Sequence, residues 1–87
     1  MRWIDFFWEE WKHEIATKHG CTATEMESVI RHVGRGFPRK VGNGRLLVQG
    51  RGEGGRMIEV IYFLDEDGAA VVIHGMPLTT RRRRGGK

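Results

Sequence analysis

The sequence predicts an α+β domain, with two N-terminal helices packed on one face of a three- to four-stranded antiparallel sheet. Three observations predict it. Apolar residues in the first third recur at helical spacing: Phe7, Trp8, Trp11 and Ile15, then Met26, Val29, Ile30 and Val33. From residue 37 the period changes to short runs rich in β-branched and aromatic residues. These runs are separated by glycine-rich turns and not by helices, which is the pattern of an antiparallel meander.

The first helix is expected over residues 5–18, with Glu9, Glu10, Lys12 and His13 largely off its apolar face. Met1–Phe6 is an alternative short first strand. Gly20 ends the helix, as glycine commonly does just past a C-terminus. Thr22 or Thr24 caps the next helix, and Thr22-Ala23-Thr24-Glu25 fits a capping box. Met26, Val29, Ile30 and Val33 form its buried stripe, and Gly34 closes it. The three tryptophans, Trp3, Trp8 and Trp11, read as core. Phe37–Val41 is a strand that Pro38 confines to a sheet edge. Asn43-Gly44 is a hairpin turn signal. Arg45–Arg51 is the next strand, and Gly52–Gly55 turns the chain. Met57–Leu64, almost wholly apolar, is the expected central strand. Asp65–Gly68 turns again, and Ala69–His74 is the last strand before Gly75-Met76-Pro77.

Composition narrows the function classes. The chain has 87 residues, enough for one domain, read as residues 1–80 followed by a flexible basic tail at 81–87. Hydrophobic residues are 39% and charged residues 30%, which fits a folded domain and not a disordered chain. A single cysteine, Cys21, rules out an internal disulfide framework and a multi-thiolate zinc site. No run reaches the ~18 apolar residues of a membrane span, and Met1–Asp5 lacks the basic and apolar regions of a signal peptide. A reducing, cytoplasmic setting is therefore expected. A core this small also suggests an oligomer or a partner.

The net charge of +4 is unevenly spread. Residues 35–56 carry six basic side chains against Glu53 alone, and residues 81–87 carry Arg81–Arg84 and Lys87. Residues 57–80 carry four acids and no base. Basic clusters of this kind attract polyanions, chiefly nucleic acid. The helices cover one sheet face, and an open face with basic and aromatic residues is a common way to hold RNA.

Metal-free RNA cleavage needs a base for the 2′-OH, an acid for the leaving 5′-oxygen and a cation for the charged transition state. Histidine suits the first two roles and arginine the third. If Asp65–Gly68 is a symmetric four-residue loop, Leu64 pairs with Ala69 and Glu59 lies directly across from His74. That carboxylate would hold the imidazole and make an acid–base pair; alternatively, Glu59 is a lone polar residue on a solvated face. The four histidines do not fall at metal-ligand spacings, so no metal or other cofactor is expected. Cys21 has no partners at the spacing of a thiol-nucleophile set.

The chain resembles the BrnT-type toxins of bacterial toxin–antitoxin systems. The likeness rests on Trp8-Glu9-Glu10-Trp11 leading into Lys18-His19-Gly20-Cys21-Thr22, with Glu25 and Glu27 following. It continues through Gly44–Arg51 and Gly55–Tyr62, and ends with Val72-Ile73-His74 before Pro77 and a basic tail. The resemblance implies a RelE-like fold, a growth-arresting ribonuclease and a neutralising ribbon-helix-helix antitoxin. Where the family has an arginine before the proline this chain has Met76, and the family's glutamate-arginine pair matches Arg82-Arg83.

Arg51 ends a strand at the family's Gly-Arg position and is the expected phosphate ligand, with a rim salt bridge to Glu53 as the alternative. Arg56 lies across the turn as a second, while Arg45, Arg35 and Arg83 are expected to bind or steer nucleic acid. Lys18 and His19 either complement the first helix's dipole or, as the resemblance implies, face the active cleft. His13 and His32 read as surface residues.

Overall fold

The computed structural model describes residues 5–8, 14 and 18–78. Asp5 leads into strand β1 (Phe6–Phe7), and after the turn at Lys18–Gly20 the chain enters helix α1 (Ala23–Arg31). Four strands follow: β2 (Arg39–Lys40), β3 (Leu46–Arg51), β4 (Met57–Leu64) and β5 (Ala70–Pro77). They form one sheet in the order β1-β5-β4-β3-β2. The pairs from β2 to β5 are antiparallel, whereas β1 lies parallel to β5.

Two predicted helices packed on the sheet are not what the structure shows. Among the described residues the one delimited helix is α1, which packs across β3 and β4. Most of the predicted 5–18 helix lies outside the described residues, and its expected start is strand. There Phe6 and Phe7 pair with Ala70 and Val71, and the Asp5 carbonyl accepts the Ala70 N–H. Adjacent aromatics fit a pleated edge as readily as a helix face, and the neighbouring strand decides between them.

α1 begins where the capping box placed it. The Thr22 hydroxyl accepts the Glu25 N–H, and the Glu25 carboxylate accepts the Thr22 N–H, both at 3.0 Å. The helix ends at Arg31, before Gly34, so Val33 falls outside the buried stripe and is 40% exposed. Met26, Val29 and Ile30 meet Val48, Ile58, Val60, Tyr62, Ala70 and Val72 in the core. Phe6, Trp8, Phe37 and Leu46 close its sides. Trp3 and Trp11 lie outside the described residues. The indole N–H of Trp8 donates to Glu27 at 2.7 Å, and the Arg31 guanidinium lies over the Phe6 ring. These contacts tie α1 to the β1 segment.

β4 alternates cleanly: Ile58, Val60 and Tyr62 are buried under α1, while Met57, Glu59, Ile61 and Phe63 turn to the opposite face. The β4–β5 connection departs from the symmetric four-residue loop. Asp65 N–H donates to the Ala69 carbonyl, so the tip is Glu66-Asp67-Gly68, with Gly68 at a positive φ of 83°. Leu64 consequently pairs with Ala70 and not with Ala69. Ala70 and Val72 then face the core, and strict alternation would send His74 after them. A bulge between the Tyr62–Val72 and Ile61–His74 pairs inserts Ile73 and returns His74 to the face of Glu59.

Gly52, just past β3, lies against the first turn of α1. A Cβ there would sit 2.9 Å from the Glu25 carbonyl oxygen, so the backbones touch only because the residue is glycine. Gly52→Ala is expected to lower stability by about 1–3 kcal/mol in urea titrations, through forced displacement of that turn. Thr22→Ala is expected to cost about 1 kcal/mol by loss of the cap alone.

Candidate active site

The sheet face away from α1 carries the polar groups. On it Gln49 of β3 stands opposite Glu59 of β4. The Gln49 side-chain amide donates to Glu59 Oε1 at 3.0 Å. The other carboxylate oxygen, Oε2, lies 3.6 Å from His74 Nε2. Glu59 pairs across the ladder with Met76, and His74 with Ile61, so the direct Glu59–His74 pairing expected from the sequence is corrected to a diagonal one. The carboxylate still reaches the imidazole because diagonal neighbours on one face lie within reach of long side chains. Both side chains are partly exposed, His74 at 29% and Glu59 at 21%.

His19 completes the cluster from the turn before α1. Its ring stands edge-on to that of His74, with centroids 6.0 Å apart. Lys18 sits beside it in the same exposed turn. The cluster therefore runs Gln49, Glu59, His74, His19. Gln49 is the member that sequence reasoning missed. Its signal was the β3–β4 register, which places it across from Glu59 once the Gly52–Gly55 turn is fixed.

The arginines are distributed differently. Arg51 ends β3 in solvent, on the same face as Gln49 two residues earlier. Its Nη1 donates to the Gly55 carbonyl at 2.8 Å, and no Arg51–Glu53 ion pair occurs among the described residues. Arg45 is exposed beside the Asn43-Gly44 turn, where Asn43 adopts φ 53° and the Arg45 N–H closes the turn on the Gly42 carbonyl. Arg35 is exposed in the turn after α1. Arg83 and His13 lie outside the described residues. His32 caps α1, with its Nδ1 3.0 Å from the Ser28 carbonyl oxygen.

Arg56 is a fastener. Its Nε meets Glu25 Oε2 at 2.7 Å, and its Nη2 meets Glu25 Oε1 at 3.0 Å. Nη2 also donates to the Gly20 carbonyl at 2.7 Å. The guanidinium thereby fixes the turn that carries His19 against the sheet that carries His74. The Arg56 hydrogen bond, aided by the Thr22 N–H, holds the Glu25 carboxyl below its ordinary range against the opposing effect of burial. Burial and the nearby Glu25 push the Cys21 thiol up, which leaves it protonated and poorly nucleophilic. Burial likewise raises the Tyr62 phenol.

Comparison with protein-family models, with curated proteins and with solved structures finds no match to this chain. Among the described residues no helix is long and apolar enough to cross a membrane.

Because Arg56 and the Thr22 N–H hold the Glu25 carboxyl below its ordinary range, its ion pair contributes stability above the ordinary carboxylate range and loses it as pH falls through the lower folded value. Acid titration of the melting temperature is expected to show this loss in the wild type. Glu25→Gln should start lower at neutral pH and lack that component of the acid transition.

Proposed function

We propose that this chain is a metal-independent endoribonuclease, acting as the toxin of a toxin–antitoxin pair, with its chemistry on the sheet face opposite α1. One observation carries the reading: two imidazoles stand 6.0 Å apart, and one of them is held by a carboxylate. That brings a candidate acid and a candidate base together at one place on the surface, where a phosphodiester laid against both rings would meet them.

In this mechanism His19, exposed in the turn before α1, accepts the proton of the 2′-OH. The 2′-oxygen attacks the adjacent phosphorus, and the bond from phosphorus to the 5′-oxygen breaks. His74, with Glu59 beside its ring, gives a proton to the leaving 5′-oxygen. The products are a 2′,3′-cyclic phosphate and a 5′-hydroxyl end. Gln49 holds Glu59 so that Oε2 faces His74. Arg51 uses only one of its five N–H donors internally among the described residues, which leaves others for phosphate oxygens. The toxin role and the ribbon-helix-helix antitoxin rest on the resemblance to BrnT-type toxins over residues 8–77.

A second reading, RNA binding without cleavage, is favoured by one feature. The residue opposite Glu59 is Met76, where the family resemblance leads one to expect arginine.

Purified protein with a fluorescent RNA in excess chelator distinguishes the two. Cleavage is expected in the wild type, and His74→Ala or His19→Ala should lower the rate by about 10²–10⁴-fold. Gln49→Leu should lower kcat with little change in KM, because it moves a proton donor and not a binding contact. Induced alone in a bacterial host, the wild type should arrest growth and His74→Ala should not. Salt-sensitive RNA binding with intact RNA in every sample would select the second reading.

A further inference from the structure

The opposite end of the sheet carries a surface that the proposed chemistry does not use. Three large hydrophobic side chains stand exposed among the described residues: Val33 at 40%, Val41 at 47% and Leu64 at 52%. Val33 and Leu64 share one corner. They line a hollow of about 710 Å³, with Leu46 and Tyr62 among its apolar walls and Asp5, Arg31 and Asp67 among its charged ones. A second hollow of about 310 Å³ adjoins it and shares Leu46 and Leu64, with Lys40 and Arg45 on its far side. Monomeric proteins seldom leave apolar side chains gathered this way unless something covers them.

Charge identifies what covers them. On one side of Leu64 runs the loop Asp65-Glu66-Asp67. The Asp65 side chain is engaged within that loop, accepting the N–H groups of Asp67 and Ala69, but Glu66 and Asp67 form no ion pair among the described residues. On the other side stands the β2–β3 hairpin with Lys40 and Arg45, which likewise form none among the described residues. An acidic arm and a basic arm thus flank a shared apolar centre. A two-fold axis through Leu64 lays the acidic loop of one copy on the basic hairpin of the other, twice over. Such self-complementarity is what an isologous interface requires.

We propose that this corner is a homodimer interface, in which the Leu64 side chains of two copies meet at the centre. Glu66 and Asp67 then pair with the partner's Lys40 and the partner's Arg45. The assignment is independent of the ribonuclease reading, because Glu59 and His74 lie away from the Leu64 end of β4.

Sedimentation velocity on the full chain from about 1 µM to 1 mM tests it, in a His74→Ala background so that toxicity does not limit expression. A concentration-dependent dimer that weakens in high salt is expected. Leu64→Ser should be monomeric with an unchanged circular dichroism spectrum. Lys40→Glu with Arg45→Glu should also be monomeric, and adding Glu66→Lys with Asp67→Lys should restore the dimer. Restoration answers the objection that the first pair misfolds. A monomer at every concentration overturns the proposal. So does a dimer indifferent to Leu64→Ser, or a failure of the fourfold reversal to restore association while that variant remains folded.

Discussion

The Glu25 carboxylate is where the helix, the sheet and the turn before the helix are joined. Its two oxygens take the Thr22 N–H and two donors of Arg56. Arg56 then reaches the Gly20 carbonyl. α1 is short, and a helix of its nine residues is marginal without tertiary support. The ion pair holds its first turn onto the end of the β3–β4 hairpin, and Gly52 allows the backbones to meet there. Only with that turn fixed does His19 stand at a defined place over His74. The lock is structural, but the geometry of the candidate site depends on it.

Much of the sheet was legible because its signals are local. Met57–Leu64 has the composition of a central strand and is one. The capping box at Thr22–Glu25 involves residues three apart and is read without knowing the fold. What was not legible depended on distant neighbours. The sequence leaves Phe6 open between a helix start and a short first strand, and Ala70 and Val71, far along the chain, decide for strand at Phe6 and Phe7. β2 shrinks to two residues because its strand leaves the sheet edge before the Asn43-Gly44 turn. β5 runs past His74 to Pro77, since Gly75 fits opposite Val60 and Pro77 needs no ladder donor at its end.

The candidate site shows the same division. Placing Glu59 near His74 required only that β4 and β5 pair, and that was readable. Their register was not, because the turn pairs Leu64 with Ala70 and not with Ala69, and the strand carries a bulge. The two departures together keep His74 on the face where simple alternation from a symmetric four-residue loop had put it. Arg56 illustrates the opposite outcome. In a list of charges it is one cation of a basic patch, and nothing local marks it as the partner of a carboxylate 31 residues earlier. The basic character of residues 35–56 is therefore smaller at the surface than composition suggests.

Cys21 sits between the Gly20 carbonyl held by Arg56 and the helix cap at Thr22, and only 2% of its surface is exposed. It is also the sole thiol in the chain. Its sulfur can be alkylated only when the segment before α1 lifts away from the sheet. The rate at which a small electrophile labels this protein is thus a direct clock of that opening, set by its frequency when the reagent is in excess and by its population when the reagent is dilute. The molecule carries its own reporter at the joint on which its shape turns.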